Sequence, residues 1–477
     1  MTPTPIAEPA LATSRRGLLR GSAGALLMSG LAASAAAAAA APAQDIDAII
    51  ERAMKQAPFP AVVVAARKGE TDVYRKAFGY IDLENKVAAT TDDVFPIGSV
   101  TKTMTGLSVM QLVAQGRIGL DDTAATYLDG LPPAIGALKV RNLLDHTSGL
   151  VGYTDVPGFP WASQRPFTRQ EVVGWFADKP LQFEPGTRWS YTNSGLYLLG
   201  LIIEKVSGAS YEDYLAEHVF KPFRMTNSSM AGWERLIPRR AHGYLVKAGA
   251  LENAPRYDPL VPFSAGGVLS TLDDMMKYRR GVFGDGPTTP QVRQLIQQQD
   301  KLKDGLVLPY ALGCLAITTF EGHRKIGHPG DIFGFSSQYS YYPDDDLTIV
   351  MFSNMQNGAM PLISLEQKVA RALLGVPQPT IVDLPLSKSL GESLAGSYEI
   401  GEIRFAVNEM TFTFKDGALY VAFEHGPPIA LRHQGGNEFV SSLDDEHRFR
   451  FDTHGRPARV FMSYYGSTFE ATRAEAR

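Results

Sequence analysis

A serine and a lysine lie three positions apart at the start of a predicted helix, Ser99 to Gln115, in the only S-x-x-K pattern of the chain, Ser99 to Lys102. Residues at this spacing share one face of a helix, so the hydroxyl and the amine come within hydrogen-bonding range. A serine hydroxyl becomes an effective nucleophile when a neighbouring base takes its proton, and a lysine can be that base when burial lowers its pKa. The helix start adds backbone N–H groups that can stabilise an oxyanion. The pair therefore indicates nucleophilic acyl chemistry.

The only Y-x-N triplet of the chain, Tyr191 to Asn193, lies in a segment rich in turn-forming residues that leads into a predicted helix. The phenol of Tyr191 can relay a proton beside Lys102, and the amide of Asn193 can orient a substrate carbonyl or amide. An isolated tyrosine before a helix is also typical of ordinary packing. The triplet by itself leaves both interpretations open.

A third pattern, His328-Pro329-Gly330, lies on a predicted strand. We expect an edge strand whose backbone approaches a substrate, because a glycine permits that approach and His328 supplies a donor that is mostly neutral at pH 7. The H-x-G pattern recurs at His433 in the C-terminal tail. We set the second copy aside because it lies outside the domain that holds the other two motifs.

In this order along the chain, the three motifs resemble those of the penicillin-binding and class C β-lactamase superfamily of serine hydrolases. The likeness spans about Ile46 to Leu374. It includes three further segments, which are Arg141–Leu150, Phe183–Asn193 and Ala265–Thr271. The resemblance implies a helical lobe packed on an antiparallel sheet of five or more strands, with the cleft between them.

The same resemblance implies roles for the catalytic residues. Ser99 would be the acylated nucleophile, and Lys102 would be its base. Tyr191 would be a partner base and the acid that protonates the leaving group. The implied mechanism proceeds through an acyl-enzyme and needs no cofactor and no metal.

The resemblance also implies substrate-binding residues on both sides of the cleft. Asn193 would orient the substrate, while His328 and Gly330 would line the strand side. The backbone N–H groups of Ser99 and Asp331 would form the oxyanion hole. The sequence departs from the family at this strand, because β-lactamases usually carry Lys-Thr-Gly where this chain has His328-Pro329-Gly330. Without a fixed positive charge there, an ester or a D-residue-containing peptide or amide is favoured over a β-lactam.

Composition excludes several other functions. The chain of 477 residues has 46 Lys+Arg and 50 Asp+Glu, a net charge of −4 at pH 7, which is atypical of a nucleic-acid-binding protein. The 44% of hydrophobic residues supply a large core. A single cysteine, Cys314, rules out an intramolecular disulfide and a multi-thiolate metal site, and its apolar neighbours predict that it is buried.

The order of predicted elements indicates an α/β (α+β) fold. Strands at Ala61–Lys68 and Asp72–Gly79 come first and helices fill the middle. Strands return with one predicted at Tyr310–Thr319, and a final helix follows at Leu362–Leu374. We predict a hydrolase domain at 44–375, with an antiparallel sheet flanked by helices and a helical lobe. A Pro-rich linker at 376–388 would precede a small all-β, barrel-like domain at 389–477 that resembles the lipocalin-like domain of some family members.

The first 43 residues resemble a cleaved twin-arginine export signal. Arg15 and Arg16 precede an uncharged, Ala-rich stretch that ends at Ala43. This predicts a periplasmic or secreted protein without a stable membrane anchor after cleavage. The expected partner is a small ester, peptide or cell-wall fragment, while the oligomeric state is left open. The alternatives are a β-lactamase, or a protein that binds peptidoglycan fragments or lipids on a hydrolase scaffold.

We expect the leader to be cleaved directly after Ala43, because the small residues Ala41 and Ala43 fit the specificity of a signal peptidase. N-terminal sequencing of the exported protein checks this site. A mature chain that begins inside the Ala-rich stretch would contradict it.

Overall fold

The computed structural model describes residues 45–160, 165–232, 234–356, 360–404, 408–424, 426–455, 457–464 and 467–474. The predicted export signal at 1–43 lies outside these residues. None of the helices in the described part of the chain combines the length and the apolar character needed to span a bilayer. From Ala48 onward, the described residues form one compact unit.

Most helices lie in the middle of the chain, and three of them pack around one central helix, α2. They are α1 (45–56), α2 (Thr101–Ala114), α3 (Pro133–Gly136), α4 (Val140–Leu144), α5 (Arg169–Ala177), α6 (Asn193–Ser207), α7 (Tyr211–Leu215), α8 (Phe263–Gly266), α9 (Leu272–Phe283), α10 (Pro290–Ile296), α11 (Leu362–Leu374) and α12 (Lys388–Leu394). Helix α2 is buried on nearly all sides, and it packs against α6, α8 and α10 to form the helical lobe.

Strands from both ends of the hydrolase part build its main sheet. The strands of this part are β1 (Ala61–Lys68), β2 (Thr71–Asp82), β3 (Val87–Ala88), β4 (Phe95–Pro96), β5 (Trp189–Ser190), β6 (Ser229–Met230), β7 (Tyr244–Lys247), β8 (Ala250–Asn253), β9 (Val268–Ser270), β10 (Gln299–Lys301), β11 (Val307–Ala311), β12 (Leu315–Phe320), β13 (His323–Ile332), β14 (Phe335–Tyr342), β15 (Leu347–Ser353) and β16 (Met355–Gln356).

The main sheet has nine strands in the order β10-β11-β12-β13-β14-β15-β1-β2-β3, and its pairings are antiparallel. Strands β1 and β15 occupy its interior and are almost continuous apolar runs, as expected for strands covered on both faces. Helices α9 and α11 pack on this part of the sheet. The predicted α/β architecture, with an antiparallel sheet, flanking helices and a helical lobe, is confirmed.

Two sequence predictions about strands need correction. The apolar run Tyr310–Thr319 is not one strand but β11 and β12 joined by a tight turn. The chain bends there because Leu312 and Gly313 donate backbone hydrogen bonds to Gln298 and Ile296, at 2.9 and 3.1 Å, at the end of α10. Cys314 in this turn is buried, as predicted, with φ of 55°.

The strand that carries His328 is also not an edge strand, because β13 lies between β12 and β14. Its pairing with β12 ends at Gly327, whereas its pairing with β14 continues to Ile332. The segment from His328 onward therefore has one free backbone edge although the strand is internal. A substrate can therefore approach the backbone of this segment, as the motif suggested, although the strand lies inside the sheet and not at its edge.

The C-terminal part forms a closed eight-stranded barrel, which confirms the predicted all-β, barrel-like fold. Its order is β17-β19-β20-β21-β22-β23-β24-β25, and one additional short strand, β18, lies outside it. The strands are β17 (Gly396–Ile400), β18 (Ile403–Arg404), β19 (Glu409–Lys415), β20 (Ala418–Phe423), β21 (Ile429–Gly435), β22 (Glu438–Ser441), β23 (Arg448–Asp452), β24 (Arg459–Tyr464) and β25 (Ser467–Arg473). Alternate residues such as Met410 and Phe412 point into an apolar core that belongs to the barrel.

One face of α11 makes hydrogen bonds and ion pairs with the barrel. Ser364, Lys368 and Arg371 recur at helical spacing and contact the turn between β22 and β23. Ser364 and Lys368 reach Asp444 and Asp445, at 2.5 and 3.0 Å.

The strongest contact of this face is a two-pronged ion pair. Arg371 donates from both terminal nitrogens to Glu446, at 2.5 and 2.9 Å. The two side chains are only 3% and 5% exposed, so the pair is shielded from water. A fork of this kind fixes orientation as well as distance.

We expect Arg371→Met to lower the free energy of unfolding by about 3–5 kcal/mol, because it leaves the Glu446 carboxylate buried without its partner. The double variant Arg371→Met/Glu446→Met should recover most of this loss. Urea unfolding measures both effects.

Lys388→Met is the matched control, because its pair with Glu392 is 81% and 59% exposed and should contribute less than about 0.5 kcal/mol. Equal losses for Arg371→Met and Lys388→Met would show that the buried pair does not stabilise the fold.

Candidate active site

The turn that carries Ser99 is held tightly against β13. Residues Gly98–Val100 form a short 3-10 turn directly before α2, and Gly98 has φ of 48°. A Cβ atom on Gly98 would lie 3.0 Å from the backbone of Asp331, and one on Gly330 would lie 2.2 Å from the carbonyl oxygen of Ile97. Both positions therefore require glycine, and the Ser99 turn contacts the strand backbone to backbone.

Lys102 lies one helical turn after Ser99, and its amine is completely buried. Nζ lies 2.9 Å from Ser99 Oγ, 2.8 Å from Asn193 Oδ1 and 2.7 Å from the carbonyl oxygen of Ala265. Burial lowers the pKa of Lys102 to about 7. In its neutral form the amine can donate its two N–H groups to Asn193 and Ala265, and its lone pair can then accept the Ser99 proton.

Tyr191 and Asn193 reach the same point from the other side of the cleft. Strand β5 ends at Ser190, and the side chain of Thr192 caps α6, so Asn193 is the first residue of that helix. The Tyr191 hydroxyl hydrogen-bonds to Ser99, and the Lys102 amine lies 5.0 Å from the centre of the Tyr191 ring. Burial raises the pKa of Tyr191 far above its usual value, which keeps its hydroxyl protonated.

An aromatic group that the motifs did not reveal positions Tyr191. His146 packs against the Tyr191 ring at a tilt of 41°, with the ring centres 4.5 Å apart, and also packs against Trp189 and Tyr310. Its Nδ1 accepts a hydrogen bond from the backbone N–H of Thr192, at 3.3 Å. The spacing of residues in the sequence did not predict that His146 lies beside Tyr191.

His328 presents an uncharged side chain to the cleft. Its Nδ1 donates to the carbonyl of Pro329, and its Nε2 accepts from the hydroxyl of Tyr310, at 2.9 Å. Burial, with a smaller contribution from the charge of Lys102, lowers the pKa of His328 to about 3. The lysine on the same strand, Lys325, pairs with the buried Glu366 at 2.5 Å. This strand therefore lacks the fixed cation expected at the corresponding position of a β-lactamase.

A cavity of about 300 Å³ opens beside the nucleophile, and we name it the first pocket. Ser99, Asn193 and Asp331 line it, together with apolar residues that include Tyr153 and Phe333. Ser99 and Asp331, whose backbone N–H groups the resemblance implies as an oxyanion hole, both line this cavity. The structure thus brings together all seven residues that the sequence singled out.

Among the described residues, one group of three side chains has the spacing of metal ligands: Asp82, Glu84 and His242. Hydrogen bonds already occupy its carboxylates, because Asp82 accepts from Asn85 and Glu84 accepts from Tyr244. None of these side chains lines the first pocket.

Comparison with known proteins extends over most of the chain. The family described as Beta-lactamase matches residues 46–374. Penicillin-binding protein 4* of Bacillus subtilis (strain 168) is 27% identical over 334 residues, which cover 67% of this chain and 73% of that protein.

Two solved structures share the fold. The octameric penicillin-binding protein homologue from Pyrococcus abyssi has a TM-score of 0.63 at 22% identity and covers 90% of this chain and 99% of its own. A D-amino acid amidase from Ochrobactrum anthropi SV3 has a TM-score of 0.60 at 23% identity and covers 70% of this chain and 98% of its own. Because 90% of the chain exceeds the range 46–374, the first likeness extends beyond the hydrolase part.

We expect kcat/KM to rise with pH through a midpoint near 7, because protonated Lys102 cannot accept the Ser99 proton. Below that midpoint the rate should fall by about tenfold per pH unit. The pH profile of ester hydrolysis, analysed for the free enzyme, measures it. The pKa of His328 is too low to produce this limb, and burial also moves the pKa of His146 well below its usual value.

Asp145 is the control for this assignment, because burial raises its pKa to about 7 as well. Asp145→Asn keeps the oxygen that accepts from the Thr147 hydroxyl at 2.6 Å. The limb should persist in this variant. Loss of the limb in Asp145→Asn would assign the titration to Asp145 and not to Lys102.

Proposed function

Because the chain belongs to the Beta-lactamase family, whose match covers residues 46–374, we propose that it is a serine hydrolase that acts through an acyl-enzyme on Ser99. The observation that carries this proposal is the contact between the Lys102 amine and Ser99 Oγ, at 2.9 Å. A buried amine with a pKa of about 7 is half neutral at physiological pH and can act as a base there. The side chains of Tyr191 and Ser99 are hydrogen-bonded to each other as well.

The acylation step follows from these contacts. Ser99 Oγ attacks the substrate carbonyl carbon while its proton moves to neutral Lys102. The resulting oxyanion accepts hydrogen bonds from the backbone N–H groups of Ser99 and Asp331. Preorganised donors of this kind are each worth about 3 kcal/mol of transition-state stabilisation.

Breakdown of the tetrahedral intermediate requires an acid. The bond to the leaving group breaks, and the departing oxygen or nitrogen takes the phenol proton of Tyr191, whose raised pKa keeps that proton available. The Lys102 ammonium, which faces the Tyr191 ring, returns the proton. Water then attacks the acyl carbon and gives a proton to neutral Lys102. The bond from that carbon to Ser99 Oγ breaks, and Lys102 returns the proton to this oxygen, which releases the acid and regenerates Ser99.

The proposed substrate is an ester or a peptide or amide with a D-configured residue. The neutral state of His328 supports this choice over a β-lactam, because the side chain at this position offers no positive charge to a β-lactam carboxylate. The name of the D-amino acid amidase with a related fold is consistent with an amide substrate. We also propose that the protein works in the periplasm or outside the cell, where cell-wall fragments occur, as the predicted export signal implies.

We expect Ser99→Ala to lower ester hydrolysis by at least about 10⁴-fold and to abolish covalent labelling by a fluorophosphonate, because the acylated oxygen is removed. Hydrolysis of p-nitrophenyl esters and intact-mass measurement check the two results.

Ser108→Ala is the matched control on the same helix, since its hydroxyl is buried and hydrogen-bonds only to the helix carbonyl of Met104, at 2.8 Å. It should retain both activity and labelling. A Ser99→Ala protein that turns over esters at the wild-type rate would show that another group is the nucleophile.

A further inference from the structure

A second cavity, of about 370 Å³, lies on the other side of the catalytic tyrosine, and we name it the second pocket. Tyr191 and His328 line it, together with apolar residues of β11 and β12. Its outer wall comes from the barrel part of the chain, through Ile403 and Phe469. Hydrolase and barrel residues therefore enclose one cavity beside the candidate active site.

The barrel wall is fastened to the segment that carries Tyr191. Strand β18 pairs in parallel with β5, and Ile403 lies opposite Trp189 in the register. The backbone N–H of Trp189 donates to the carbonyl of Glu402, at 2.9 Å. The Glu402 carboxylate also pairs with Arg188, at 2.9 Å. These contacts hold Ile403 opposite Trp189, which lies two residues before Tyr191 in the sequence.

The two pockets correspond to the two halves of a substrate. Ser99 and Asp331, which would hold the reacting carbonyl, line the first pocket. Tyr191, which would protonate the leaving group, lines the second pocket but not the first. The acyl part of a substrate therefore belongs in the first pocket, and the departing alcohol or amine belongs in the second.

The second pocket offers no charge to a bound molecule. None of the described residues that line it is Asp, Glu, Lys or Arg. His328 is held neutral, since its Nδ1–H donates to Pro329 and its Nε2 accepts from Tyr310. The neighbouring charges of Arg188 and Glu402 neutralise each other. A carboxylate placed here would lose its hydration without gaining a cation, which is unfavourable.

We propose that the second pocket is the leaving-group site, that Ile403 of the barrel part forms part of its wall, and that it selects uncharged leaving groups over those with a free carboxylate. The proposal rests on the proposed acylation of Ser99. It identifies the substrate class as neutral esters or amides, and it excludes peptides whose departing residue carries a free C-terminal carboxylate.

The test compares two esters of one acyl group, N-acetyl-D-alanine, with lactamide and with lactate as leaving groups. The two esters have nearly the same shape and form the same acyl-enzyme, so any difference between them arises from the leaving group. We measure kcat/KM for each ester and follow the rate of Ser99 acylation by intact mass. We expect the wild-type protein to prefer the lactamide ester by about 10- to 100-fold, the range of discrimination that a binding pocket provides.

Ile403→Arg places a cation in the pocket and should reduce or reverse the preference by at least about tenfold. Leu236→Arg, at a position that is 94% exposed, adds the same charge at the surface and should leave the preference unchanged. Val307→Arg tests the same cavity from the hydrolase wall, where Val307 is 48% exposed, if Ile403→Arg does not fold.

The outcomes separate the two proposals. A wild-type protein that takes the lactate ester as well as the lactamide ester, or better, overturns the leaving-group inference and leaves the acyl-enzyme intact. Unchanged preferences in both Ile403→Arg and Val307→Arg also overturn it. Absence of any acylation of Ser99, by either ester or by a fluorophosphonate, overturns the proposed function itself.

Discussion

The Lys102 amine is buried among three oxygen atoms, and this burial is the constraint on which the site depends. An exposed lysine stays charged at neutral pH and cannot take a proton from a serine. The helical lobe removes water from the amine, while Asn193 and Ala265 supply acceptors that orient it toward Ser99. The same burial keeps His146 and His328 neutral, because it disfavours their charged forms as well.

Part of this arrangement could be predicted from the sequence, and part could not. Ser99 and Lys102 were predictable as a pair because both lie on one helix, where spacing determines proximity. Tyr191 and His328 come from distant segments, and they were placed near the pair through the family resemblance and not through spacing. The carbonyl of Ala265 has no side-chain signature, so its contact with Lys102 could be found only in the folded chain.

The two corrected strand predictions also show that contacts between distant segments cannot be predicted from local sequence. An apolar run such as Tyr310–Thr319 is consistent with one buried strand. The turn inside it depends on backbone hydrogen bonds to residues at the end of α10, which the residues of the run itself do not reveal. The free backbone edge beyond Gly327 results from where β12 stops pairing, which is a property of the sheet. The domain boundaries predicted at 44–375, 376–388 and 389–477 stay predictions. The segment between the two folded parts is itself anchored, since Leu384 donates a backbone hydrogen bond to His433 at 2.9 Å.

Helix α11 contacts the turn between β22 and β23 through polar and charged side chains. These contacts affect which changes to the chain can be tolerated during evolution. A chain that lost its C-terminal strands would leave the guanidinium of Arg371 without its closest carboxylate and would open the second pocket to solvent. Loss of these strands would therefore expose a buried charge and remove one wall of the second pocket at the same time. A related chain without a barrel, such as the D-amino acid amidase that matches 70% of this chain over 98% of its own length, is expected to carry a neutral or apolar residue at the position of Arg371.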